Sequence, residues 1–322
     1  MGPASLGRDG QGPACAARSV TGIRLANAPC SFGAFEITVG LLPNVPGPDE
    51  VLEAIAAAGY EGTELGLPGY LGHGALLRDR LERLGLSLAG GYIPIHFREP
   101  ARWNDDLAAV TTTLDLFESA NGRDARPVLA DTGSLARLAN PGRAAEDAGL
   151  GLDAGGWRVF AEGLARAVDL ARSRGFEPTF HHHMGSYVEA PWEIERLLDL
   201  TDAGLLLDTG HLVLGGGDPT QALRDWGDRI DHVHVKDVRS DVLKGVIADR
   251  ADMTEAWRRG IFCELGTGDV DLDSFLVALR ASGYSGWLVV EQDRIPQSGD
   301  DPAEAAKAQA RNRRWLAAHG GF

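Results

Sequence analysis

Four short segments of the chain each end an apolar run on a side chain that can bind a divalent cation. They are Phe180-His181-His182-His183, Leu205-Leu206-Leu207-Asp208, His232-Val233-His234-Val235-Lys236-Asp237 and Leu288-Val289-Val290-Glu291. Imidazole nitrogens combined with carboxylate oxygens make a donor set suited to manganese, cobalt, iron or zinc rather than calcium. The donor set does not choose among them.

Each position carries its own argument. A lone Asp208 at a strand end reads as a helix cap or turn former; in the company of the other three segments it reads as a ligand. His232 and His234 share one face of their strand by the two-residue period, with Val233 and Val235 on the other, so both imidazoles point into the fold if the valines pack outward. His234 lies nearer the strand end and is the expected ligand, leaving His232 as a hydrogen-bonding or core residue. Glu291 is a costly charge to bury without a compensating cation. His181 and His183 share a face that His182 does not, so at most two of the three reach one metal. His181 is taken as the ligand with His183 near substrate, an assignment the run itself leaves open. Lys236 reads either as a group neutralising a developing oxyanion or as a surface lysine paired with Asp237.

Presenting four strand ends at one place is what a (β/α)8 barrel does at its C-terminal mouth. The chain supplies the required alternation. Strands are expected at Ile23 to Ala28, Glu61 to Leu65, Leu86 to Ile93, Pro127 to Ala130, Pro178 to His182, Gly204 to Asp208, Ile230 to Val235 and Trp287 to Glu291. Helices are expected at Asp49 to Ala58, Ala75 to Leu84, Trp103 to Ser119, Trp157 to Arg174, Pro191 to Leu200, Pro219 to Trp226, Leu272 to Ala281 and Pro302 to Ala318. Eight alternations favour a closed barrel over an open sheet. Glycines such as Gly59, Gly85, Gly175 and Gly283 sit where helices stop. The stretch from about Val238 to Asp269 is too long for a plain connection and is expected to form a partial lid over the mouth.

Composition narrows the classes. The 322 residues, 44% hydrophobic, suit a single barrel domain over residues 21–322, preceded by an expected disordered extension over residues 1–20. A net charge of -15 disfavours nucleic acid or an anionic membrane as partner. Cys15, Cys30 and Cys263 form no paired motif, which fits a reducing cytoplasm; neither a secretory signal nor a membrane span is expected.

The order of ligand-bearing strands resembles the xylose isomerase-like barrel superfamily of sugar isomerases, epimerases and dehydratases. More narrowly, Asn27-Ala28-Pro29-Cys30-Ser31-Phe32-Gly33, Gly59-Tyr60-Glu61-Gly62-Thr63-Glu64-Leu65-Gly66, His181-His182-His183-Met184-Gly185, Leu206-Leu207-Asp208-Thr209-Gly210-His211 and the His232 to Asp237 segment resemble the inosose dehydratase branch. The resemblance runs from about Leu25 to the last helix. Most superfamily members place a glutamate where this chain has His181, and the dehydratase branch is similar to this chain in having histidines there.

The resemblance implies a metal site of His181, Asp208, His234 and Glu291, with Mn2+ or Co2+ first and Mg2+, Fe2+ or Zn2+ as alternatives. The implied reaction removes water from a cyclic keto-polyol such as 2-keto-myo-inositol. Glu291 is the expected base with Glu64 as runner-up, His211 the expected acid or oxygen-positioning group, and Lys236 the oxyanion partner. His183, His211, Glu64, Phe32 and Tyr92 are expected at the substrate. A metal-dependent isomerase, epimerase or carbon-glycoside-cleaving lyase would use the same ligands, and a sugar-binding barrel subunit is the non-enzyme alternative. A homo-oligomer is also implied.

Overall fold

A computed structural model describes residues 22–322, so the expected N-terminal extension lies outside the described residues. Eight parallel strands close into a barrel: β1 (Ile23–Asn27), β2 (Gly62–Glu64), β3 (Ser87–Ile95), β4 (Arg126–Asp131), β5 (Thr179–His181), β6 (Gly204–Asp208), β7 (Ile230–Val235) and, last in the chain, β10 (Gly286–Val290). β10 closes the ring by pairing with both β7 and β1. Two further short strands, β8 (Asp237–Val238) and β9 (Phe262–Cys263), pair antiparallel outside it.

The principal outer helices are α1 (Pro48–Ala58), α2 (Gly74–Leu84), α3 (Trp103–Ser119), α5 (Ala154–Ser173), α6 (Pro191–Leu200), α8 (Pro219–Trp226), α11 (Leu272–Ala281) and α12 (Pro302–His319). Between them lie α4 (Leu135–Leu138), α7 (Thr209–Leu214), α9 (Ser240–Ala248) and α10 (Met253–Arg258), four short helices on connections at the ends of β4, β6 and β7. Proline opens α1, α6, α8 and α12, where its missing N–H costs nothing. Gly59 stops α1 at φ 90°, a left-handed conformation that side chains resist.

Alternation along the strands sorts the two cores. Leu205, Leu207, Val233, Val235, Leu288 and Val290 belong to the large cluster between barrel and helices, each buried side chain worth about 1.5–3 kcal/mol. Trp287 and Val289 join Ala26, Ala28 and Ala89 in a small separate cluster. Trp287 fills its space so closely that a Cβ on Gly62 would stand 2.6 Å from its ring. Arg24 lies 3.8 Å from that ring's centroid. The same two-residue period that sets Trp287 and Val289 apart from Leu288 and Val290 carries on to Glu291.

The Val238 to Asp269 stretch is ordered structure: β8 and β9 form a stem carrying α9 and α10. The Asp237 carboxylate fastens its returning end by accepting from the backbone N–H groups of Val238, Gly266, Gly268 and Val270. Among the described residues no helix is long and apolar enough to cross a membrane.

Candidate metal centre and cavity

The last residue of β6, Asp208, serves two structures at once. Its Oδ1 accepts from the His211 backbone N–H and caps α7, while Oδ2 is buried with no hydrogen-bond partner. Around that oxygen stand His181 Nε2 at 4.0 Å and His234 Nδ1 at 3.7 Å, and Glu291 Oε2 is 3.0 Å from His234 Nδ1. Donor atoms held ~2.1 Å from one ion lie roughly 3–4 Å from one another, so the spacings of His181, Asp208 and His234 fit a shared cation, with Glu291 meeting that group at His234. His181, Asp208 and His234 also offer one ligand atom each within 4.8 Å of one another, and all three are buried. Imidazole nitrogens together with carboxylate oxygens, one of them buried without a hydrogen bond, are a donor set for a divalent metal.

Behind His234 lies a carboxylate. Glu64, at the end of β2, accepts through Oε1 from His234 Nε2 at 3.0 Å and from His232 Nε2 at 2.9 Å. A histidine whose far nitrogen donates to a carboxylate has its tautomer fixed, leaving Nδ1 to face a ligand. Burial opposes a charge on His234, but Glu291, Glu64 and Asp208 outweigh it and hold the imidazole well above its usual range. The same negative field favours a cation at that nitrogen. His182 points the other way, accepting the Asp208 backbone N–H through Nε2 at 3.1 Å, as the alternation along β5 requires.

Lys236 is buried, and it does not pair with Asp237. Its Nζ stands 2.9 Å from Glu291 Oε2, 3.0 Å from Asp293 Oδ2, 3.4 Å from Asp208 Oδ2 and 3.1 Å from His211 Nε2. Burial alone would lower its pKa, but Asp208, Asp293 and Glu291 hold it well above the usual lysine value. Glu291 answers in kind: burial would raise its carboxyl, and His234 with Lys236 holds it well below the usual range. Its other oxygen, Oε1, accepts a weak hydrogen bond from Cys30 Sγ at 3.4 Å.

These groups open onto a cavity of about 130 Å³, whose wall includes Glu64, His181, His183, His234, Lys236 and Glu291. Tyr92 also lines it and meets His181 edge-on, with ring centroids 6.4 Å apart. His183 turns Nδ1 to the Met184 carbonyl at 2.7 Å and lies against His211, with ring centroids 3.8 Å apart and planes tilted by 40°. His211 is fully buried and stands behind Lys236 and His183 rather than on the cavity wall. Phe32, expected at the substrate, packs in the outer core because the turn Pro29–Phe32 carries it away; Phe35 and Trp257 line the cavity in its place.

Two residues that carried no role in the sequence reading matter here, Asp293 on the cavity wall and Arg137 outside it. Asp293 lines the cavity two positions past Glu291, and alternation along that segment was the available signal. Arg137 had none: it is buried beside Glu193, donating to both carboxylate oxygens at 3.0 and 3.1 Å, and Glu189 Oε2 is 3.7 Å away. Glu189 in turn accepts from the Gly185 N–H at 2.6 Å, bracing the turn that follows His183.

The description xylose isomerase-like TIM barrel fits residues 52–319 of the sequence. The chain belongs to that family. It is 33% identical over 252 residues to the inosose dehydratase of Geobacillus kaustophilus (strain HTA426), covering 77% of this chain and 80% of that one. It is 34% identical over 284 residues to the rhizopine catabolism protein MocC of Rhizobium meliloti, covering 85% and 83% of the two chains. A solved structure, that of the IolI protein with a bound zinc atom, aligns with a TM-score of 0.67 at 16% identity, over 93% of this chain and 100% of that one. That last likeness is one of fold.

Proposed function

We propose that this barrel is a divalent-metal-dependent hydro-lyase that removes water from a cyclic keto-polyol, with 2-keto-myo-inositol as the candidate substrate. The observation that carries the reading is the convergence of His181, Asp208, His234 and Glu291, from four neighbouring strands, beside Lys236, with all but the buried Asp208 on the wall of one small cavity. Relatives named inosose dehydratase support the choice of reaction. Free thiols at Cys30 and Cys263 accord with a reducing cytoplasm.

The four donor residues hold the ion, with Mn2+ or Co2+ the first candidates for a mixed nitrogen and oxygen set. When bound, a divalent cation polarises a carbonyl oxygen and acidifies the adjacent C–H. Glu291 accepts that proton at Oε1, the oxygen turned toward Cys30 and away from His234. Lys236 balances the negative charge that develops on the substrate oxygen and supplies a proton to the departing hydroxyl. His211 holds the Lys236 ammonium from behind, and His183 and Tyr92 contact the ring hydroxyls. Glu64 orients His234 and His232, so its part is to position a ligand.

The test is incubation of metal-loaded enzyme with 2-keto-myo-inositol in deuterated water, followed by mass spectrometry. Loss of water with a dicarbonyl or its enol as product is the expected result. Epimerisation of a free ketohexose, with no dehydration of any cyclic ketone, would transfer the same site to the epimerase class.

A further inference from the structure

The connection after β1 brings Glu36 to the wall of the cavity, next to Phe35, and leaves it exposed at the rim. The stretch is firmly held. Buried Thr38 accepts the Phe35 N–H through Oγ1 at 3.0 Å, the same hydroxyl lies 2.6 Å from the Gly33 carbonyl oxygen, and Phe35 packs edge-on against Trp257. Among the described residues no cation pairs with the Glu36 carboxylate, and the donor beside it is its own backbone N–H. Partial burial, with the charges of Asp293 and Glu291, raises that carboxyl above its usual range. Tyr92 lines the same wall. Its hydroxyl makes no hydrogen bond among the described residues, yet it is not sealed away from solvent. After burial, the charge that raises this hydroxyl's pKa most is that of Glu36, so carboxylate and phenol are neighbours with no hydrogen bond between them. A carboxylate only accepts and a phenol donates, so one substrate hydroxyl placed between them satisfies both. An anionic group there would face Glu36, Asp293 and Glu291, and Lys236 is already engaged by the last two.

We propose that Glu36 is a substrate-binding residue that, together with Tyr92, holds one hydroxyl of the polyol, which donates to the Glu36 carboxylate and accepts from the Tyr92 O–H. The assignment rests on the keto-polyol reading for its substrate. It deepens that reading by fixing a subsite for an uncharged, hydroxyl-bearing ring carbon. Glu36 follows β1 and Tyr92 belongs to β3, so this grip on the polyol is separate from the four donor residues. A ring with hydrogen at that position leaves both groups unpaired, and selectivity follows from the difference.

The test is a double-mutant cycle on metal-loaded enzyme: Glu36→Ala, Tyr92→Phe and the two together. The ligand is myo-inositol, which carries no ketone to react, and its affinity is measured by calorimetry. Each single variant is expected to weaken binding roughly tenfold, with bound metal nearly unchanged. The double variant is expected to lose well under the product of the two, because removing either partner already loosens the shared hydroxyl. Glu36→Gln, which can still accept, is expected to fall between wild type and Glu36→Ala. With 2-keto-myo-inositol the same changes are expected in KM, with kcat nearly constant. Should the wild type fail to dehydrate the ketone yet show this coupled loss of myo-inositol affinity, the reaction assignment falls and the Glu36 contact stands. Wild-type affinity in Glu36→Ala, losses that simply multiply in the double variant, or a wild type that binds no polyol would overturn the proposal.

Discussion

Glu64 Oε1 stands 3.0 Å from His234 Nε2, on the side of the imidazole away from Asp208 and Glu291, although the two residues are 170 positions apart in the chain. The pair aims Nδ1 at the donor cluster. Replacing Glu64 by Gln removes the charge while keeping the shape. Metal affinity should fall roughly 10–100-fold, measured by competition with a chelator. Unchanged affinity would show that His234 is oriented without it.

Asp208 has separable duties. Asp208→Asn retains an oxygen for the His211 N–H but loses the carboxylate charge, so it should keep apo stability and lose tight metal binding. Asp208→Ala should lose the metal and, in addition, about 1 kcal/mol of stability from the missing cap. Denaturant unfolding of both metal-free variants separates the two effects; equal stabilities would deny the cap.

Lys236 faces the cavity, with His211 behind it. Lys236→Met should lower the rate by about two orders of magnitude or more while metal remains bound. His211→Asn should act through the lysine, with a loss of roughly 10–100-fold at full metal occupancy. Near-normal turnover of His211→Asn would make that imidazole purely structural.

The four backbone donors gathered by Asp237 make a localised prediction. Asp237→Ala should destabilise the fold by about 2–4 kcal/mol, since hydrogen bonds to a charged group are the stronger kind. Hydrogen exchange should rise first in residues 264–270. Protection there equal to wild type would mean that the strap is held by its side chains alone.

Burial pushes the Glu189 carboxyl up to about 7, with Arg137 pulling only partly back. A carboxyl raised in the folded state costs nothing below its unfolded value, where both states are protonated. As pH rises toward about 7 the unfolded chain has released a proton that the folded protein still holds, so stability falls across that window. Glu189→Gln should show a shallower fall. Its lost acceptor lowers the whole curve, and the slope reports the group; parallel curves would place the titration elsewhere.

The sequence by itself determined the alternation of strands and helices, the faces of His232 and His234, and the imidazole or carboxylate that each of four strand ends carries. Those are local facts: a two-residue period decides which side chains share a face, and an apolar run decides which strands are buried. Helix boundaries at Trp103–Ser119, Pro191–Leu200, Pro219–Trp226 and Leu272–Ala281 were legible for the same reason, each framed by its own pattern or a proline start. Only the tertiary structure decided what met what. Closing the ring brought Glu64 of β2 to His234 of β7, turned Lys236 from its neighbour Asp237 toward Glu291 and Asp293, and set Trp257 against Phe35 while Phe32 went into the core. Such encounters depend on the register of eight strands and on the path of the connections above them, which no short window of residues encodes.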